Sequence, residues 1–194
     1  MAVTNLKFRL TGISPLLCHN GRMADQDDEF AVAIKEITGK RQKVQADRVE
    51  MARLEFLGGL YLDQNNEPAL PGYVFEAALI GKGGGARSQR QGKAAAAGLY
   101  VIEDFFRLEY DGPRDPDELW KDKRFVHCSL VRVQQAKIMR TRPIFRNWSV
   151  EVSFDIDENL IQPDDARLWV NIAGAECGLG DWRPKFGRFV AEEL

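Results

Sequence analysis

The run Gly178-Leu179-Gly180-Asp181-Trp182-Arg183-Pro184-Lys185-Phe186-Gly187-Arg188-Phe189 places three cations and an indole among three glycines. Glycines let a backbone approach a ligand closely. Cations interleaved with an aromatic suit a single strand of nucleic acid, because the charges meet phosphates and the ring offers a face to an unstacked base. The plainer alternative is a tight turn with Trp182 packed beneath it. A second basic run, Gly81 to Lys93, carries Lys82, Arg87, Arg90 and Lys93. Each glycine costs a helix about 1 kcal/mol relative to alanine, so this stretch is expected to be a flexible loop, either a cationic finger or a charged linker. No Gly-Lys-Ser/Thr follows at P-loop spacing and the preceding element reads as helix, which excludes a phosphate-cradling loop and a dinucleotide fingerprint. The third run, residues 134–146, alternates Lys137, Arg140, Arg142 and Arg146 with apolar residues, as in a hairpin with one cationic side. In it Met139, Ile144 and Phe145 would wedge between bases or fill the core.

Net charge argues the opposite way at first. The 194 residues hold 27 basic and 29 acidic side chains, a formal charge of -2, where nucleic-acid-binding domains more often carry a basic excess. The distribution is polarised, however. Windows 77–102, 129–150 and 182–189 contain no Asp or Glu and hold twelve of the cations, Arg132 among them, leaving fifteen against all 29 acids elsewhere. If the windows meet they form a basic face; otherwise they are three unrelated solvated stretches.

These runs need elements to carry them. Leu6, Phe8 and Leu10 alternate with Lys7, Arg9 and Thr11, the period of a half-buried strand closed by Gly12 and Pro15. Residues 25–59 read as two helices, with Phe30, Ile34 and Ile37 in the first and Val49, Leu54 and Leu57 in the second, which Asp47 would cap. Pro71-Gly72 opens a further helix, and the second half is mainly strand up to a helix over 166–177 with proline and acids at its start. This α+β order suits a ferredoxin-like (RRM-like) antiparallel sheet with helices on one face, a helical insertion and a glycine-rich loop. One domain over 1–194 is expected, with a core of 1–20 and 60–194, an insertion at 21–59 and a flexible basic loop at 81–93.

No run approaches the roughly 18 to 20 apolar residues of a membrane span, and the N-terminus reads as a strand where a signal peptide would be apolar, so a cytoplasmic protein with no membrane partner is expected. Cys18, Cys128 and Cys177 form no CxxC pair and read as small buried apolar residues, with no disulfide, metal site or cofactor expected.

Three segments carry a resemblance. Leu10-Thr11-Gly12-Ile13-Ser14-Pro15-Leu16-Leu17-Cys18-His19-Asn20-Gly21 resembles the first-strand motif of the RAMP superfamily of CRISPR-associated proteins. Ala69-Leu70-Pro71-Gly72-Tyr73-Val74-Phe75-Glu76-Ala77-Ala78-Leu79 is similar to the helix start of the backbone subunits that coat guide RNA, and Gly178 to Phe189 to the superfamily's glycine-rich loop. The resemblance implies a ferredoxin-like or RRM-like fold that holds single-stranded RNA, often polymerising along it. The family's Lys and Arg in the helix motif fall on Glu76 and Ile80 here, which passes phosphate contact to Lys82, Arg87, Arg90 and Lys93. The short chain suggests a pared-down or solitary member of a kind a phage could encode.

Guide-RNA-processing endoribonucleases of that superfamily use a histidine near the first strand, a place held here by His19. Asp25, Asp27 and Asp28 follow, where a metal-assisted cleaving Asp occurs in some backbone subunits; as clustered carboxylates they could hold Mg2+, or simply begin a helix. The expected function is non-catalytic, sequence-tolerant binding of single-stranded nucleic acid, RNA before DNA, with head-to-tail assembly as a homo-oligomer or as a ribonucleoprotein subunit. The site residues are Lys82, Arg87, Arg90, Lys93, Lys137, Arg140, Arg142, Arg146, Trp182, Arg183, Lys185 and Arg188. The alternatives are a metal-independent endoribonuclease using His19, and a mimic of a CRISPR subunit that binds a protein complex.

Overall fold

In the computed structural model, which describes residues 2–133 and 136–194, the opening alternation forms strand β1 (Val3–Gly12), with Leu6, Phe8 and Leu10 buried and Lys7 and Arg9 exposed. There follow β2 (Leu16–Leu17), α1 (Glu29–Gly39), α2 (Gln45–Gly59), β3 (Ala69–Pro71), α3 (Gly72–Leu79), α4 (Gly85–Ser88) and α5 (Gly92–Gly98). The remainder holds β4 (Leu99–Tyr100), β5 (Phe105–Glu109), α6 (Pro116–Lys121), β6 (Val126–Val133), β7 (Ala136–Phe145), β8 (Ser149–Asp157), α7 (Pro163–Ile172) and β9 (Phe189–Glu193). The protein is α+β with antiparallel sheets, and among the described residues no helix is long and apolar enough to cross a membrane.

The chain divides into two compact units. The first comprises Met1–Leu16, Ala69–Asp111 and Arg146–Leu194; the second comprises Leu17–Pro68 and Gly112–Phe145. Segments 60–68 and 112–145, which the sequence suggests belong to the sheet-bearing core, thus fold with the helices of 21–59.

The first unit is built on a sheet of order β3-β5-β8-β1-β9, with β4 also paired to β8. Register opposes Leu6 to Phe154, Phe8 to Val152 and Leu10 to Val150, so the apolar sets of β1 and β8 share one face. That face is covered by helices: Phe75, Ala78 and Leu79 of α3 and Val170 of α7 enclose a small apolar space with Leu10, Phe154 and Phe189. The other face is polar, with Lys7 and Arg9 both bound to Glu151 at 2.9 and 2.6 Å.

In the second unit β6 and β7 form an antiparallel hairpin, and α2 lays Glu55 and Phe56 inward. The Phe56 ring meets Trp120 of α6 at 5.5 Å. Glu55, 8% exposed, accepts the Thr141 amide at 2.8 Å and pairs with Arg140.

Two local expectations change. Asp47 lies in the first turn of α2, where its carboxylate accepts the Val44 amide at 3.0 Å and pairs with Lys40; the helix begins earlier than a cap at Asp47 would allow. The glycine run, expected to hold no helix, contains α4, with Gly84, Gly85 and Ala86 buried. A Cβ on Gly85 would lie 2.2 Å from the Trp169 carbonyl oxygen, so glycine lets this segment close on α7, and packing overrides its low helix propensity.

Candidate nucleic-acid interface

The loop between α7 and β9 is shaped by left-handed backbone. After α7 the chain makes a wider turn, Ala173–Cys177, and then adopts positive φ at Gly178 (74°), Gly180 (73°), Trp182 (58°) and Gly187 (75°). The Gly187 carbonyl accepts the Leu179 amide at 2.9 Å, while the Gly187 amide donates to Pro15 at 2.8 Å. The Arg188 amide donates to Ser14 Oγ at 2.9 Å, and the Ile13 amide to the Arg188 carbonyl at 2.8 Å. Two of the three motif segments are therefore bonded together although some 170 residues separate them.

Trp182 is 43% exposed and not packed beneath the turn. Its ring lies nearly parallel to the buried Phe186 ring, 14° apart with centroids at 6.0 Å, and Lys185 Nζ is 5.4 Å from the Trp182 centroid and 5.6 Å from that of Phe186.

The first basic run meets this loop. The Cys177 thiol donates to the Gly83 carbonyl at 2.9 Å, joining the glycine run to the turn that opens the last loop. Burial pushes the Cys177 thiol pKa up, the neighbouring Glu176 adds to this, and Arg183 opposes it. Arg87 Nε donates to the Ile80 carbonyl at 3.3 Å, and Arg183 Nη1 to the Gly178 carbonyl at 3.5 Å. Lys82, Arg87, Arg90, Lys93, Arg183, Lys185 and Arg188 are all exposed, and among the described residues none pairs with a carboxylate.

The remaining window lies largely in the second unit, with Arg146 in the first. Within it the run 134–146 supplies one strand, β7, and not a hairpin of its own; Gln134 and Gln135 lie outside the described residues. Arg140 is held by Glu55, so its charge is neutralised within the fold. Arg142 stands opposite His127, and Lys137 opposite Arg132 on the hairpin face that also exposes Leu130 (55%) and Met139 (57%). Ile144 and Phe145 are core residues, 3% and 1% exposed, so of the two readings the sequence offers for them they take the core one, whereas Met139 is exposed.

His19 is exposed, and its carbonyl accepts the Tyr61 hydroxyl at 2.9 Å. Asp28 caps α1, accepting the Phe30 amide at 2.9 Å and pairing with Arg22 at 2.6 Å. Burial would raise its pKa, but the bonds from Arg22 and the Phe30 amide outweigh that and hold it below the usual carboxylate value. Asp25 accepts the Asp27 amide at 3.0 Å, and among the described residues no three His, Cys, Asp or Glu side chains gather to hold a metal ion. The expectation of buried cysteines fits Cys18 alone, since Cys128 is exposed and Cys177 half-buried. Sequence reasoning missed Phe186 as the support for Trp182, for which a spacing of four residues was the available signal, and Leu130 as the neighbour of Met139. No protein-family model and no curated protein sequence matches this chain.

Proposed function

We propose that this protein binds single-stranded nucleic acid, RNA in preference to DNA, through the phosphate backbone and without a strong sequence requirement. The carrying observation is that seven exposed cations of the first unit, in the 82–93 and 183–188 segments, have no carboxylate partner among the described residues. Their free charge is what a polyanion displaces counterions to reach. On the outer sheet face, by contrast, Lys7 and Arg9 are bound to Glu151 and Arg107 to Glu109, which favours a strand running along the loop side over one crossing the sheet.

A RAMP-like, ferredoxin-like reading is supported by the strand order β9-β1-β8-β5, with α3 between β1 and β5 in sequence and α7 between β8 and β9. It is supported too by the bonds tying Ser14 and Pro15 to Gly187 and Arg188. On this reading the protein acts in the cytoplasm, non-catalytically, and assembles head to tail along the strand. Fluorescence polarisation with a labelled unstructured RNA at two salt concentrations is the test. Binding that weakens with salt is expected, with the RNA recovered intact. No binding at low salt, or affinity indifferent to salt, overturns the proposal, and cleavage lost in His19→Ala would replace it with an endoribonuclease.

A further inference from the structure

We propose that the exposed face of the β6–β7 hairpin on one copy docks against the outer sheet face of the next copy, at Tyr100, Ile102 and Phe105. The inference rests on the head-to-tail part of the reading above and names the two surfaces that meet. In the first unit Tyr100 lies opposite Asp155 of β8, and Ser153, two residues before Asp155, donates its hydroxyl to Glu103 at 2.9 Å. Residues paired across strands share a face, so Tyr100, Ser153 and Asp155 stand together on the outer side of the sheet, with Glu103 beside them. In this stretch Tyr100, Ile102 and Phe105 are 47%, 66% and 43% exposed, three large apolar side chains within six positions. Glu103, Asp104 and Asp155 edge them, and among the described residues none of the three pairs with a cation. The hairpin of the second unit is the converse. Leu130 and Met139 are opposite each other and exposed, Lys137 is exposed on the same face, and residues 126–145 hold no Asp or Glu. Each surface has an apolar centre and a charged rim, and the rims are of opposite sign, which fits one to the other and not to itself. Acids on the sheet face repel a phosphate backbone, so a basic protein surface suits it better than nucleic acid. A groove of about 480 Å³ on that face, lined by Glu103, Glu109 and Glu151, gives room for the long side chains of Met139 and Lys137. Because the two surfaces differ, the contact is heterologous and repeats from copy to copy.

Light scattering on nuclease-treated protein, over a concentration series at low salt, is the test. Met139→Glu blocks the hairpin and Phe105→Lys the sheet face. Both positions are exposed, so each variant should melt as the wild type does; Leu130→Glu and Ile102→Lys replace either one that does not. The wild type is expected to grow with concentration beyond about twice the monomer mass and to shrink again as salt is added. Each variant alone should stay monomeric. An equimolar mixture of the two should reach about the dimer mass and no more, since one supplies only a sheet face and the other only a hairpin. A wild type that stays monomeric throughout overturns the interface. So does a variant that assembles like the wild type, which would mean that one surface pairs with itself, or a mixture that stays monomeric. RNA polarisation on the same wild-type samples separates the two readings. Binding by a protein that stays monomeric removes the interface and leaves the nucleic-acid reading, whereas assembly without RNA binding at low salt does the reverse.

Discussion

The Cys177 thiol donates to the Gly83 carbonyl at 2.9 Å, and by that bond the glycine run of the first acid-free window meets the turn that opens the last loop. The same burial that forms the bond raises the thiol pKa. Since the thiolate is the nucleophile, Cys177 should react with iodoacetamide near neutral pH more slowly than free cysteine does, and faster as pH rises. Peptide mass spectrometry over a labelling time course checks this. A rate at neutral pH equal to that of free cysteine would contradict the burial.

Neutralising unpaired cations should change the salt dependence of RNA binding, and neutralising paired ones should not. Each phosphate contact on a single strand contributes about 0.7 to the slope of log affinity against log salt. Joint replacement Lys185→Gln and Arg188→Gln should flatten that slope by about 1.4. Lys7→Gln with Arg9→Gln, which removes only partners of Glu151, should leave it unchanged. Polarisation titrations over a salt series decide between them.

Two glycines with similar φ should tolerate alanine very differently. Gly83 (φ 81°) has nothing within 4 Å of a Cβ, whereas a Cβ on Gly187 (φ 75°) would lie 1.9 Å from the Leu179 carbonyl oxygen. Gly83→Ala bears only the left-handed cost of about 1–2 kcal/mol, a fall of roughly 2–8 °C in melting temperature. Gly187→Ala must also part the loop from Leu179 and Pro15, and calorimetry should find it far less stable, or the variant insoluble.

Asp28 gives the second unit a stabilising charge that acid removes. Its folded pKa lies below the unfolded value of about 3.9, so the contribution is complete above that value and is lost as pH falls through the folded one. Asp28→Asn keeps the cap but not the charge. It should unfold in urea at a lower midpoint than the wild type at pH 7, and the gap should close below about pH 4. A gap that persisted in acid, where Asp28 is uncharged, would show that the charge is not its cause.

The alternation of Leu6, Phe8 and Leu10 was enough to give β1 and its buried face, because a strand's period is a local property. Counting acids by window was enough to locate the cations. Neither could separate Arg140 from Arg188, which look alike in sequence. Arg140 meets Glu55, 85 positions away, while Arg188 meets no carboxylate among the described residues. The glycine run misled for the same reason. Its local propensity opposes helix, and only the closeness of the Trp169 backbone shows why glycine is needed there.

By itself, then, the sequence determined the periodic elements and the uneven distribution of charge, since both are written in residue order. Tertiary structure alone decided which cations keep their charge free, which apolar residues of the third window fill the core, and that Trp182 faces outward on Phe186. Ion pairing, burial and stacking depend on distances between residues far apart in the chain, and folding sets those distances.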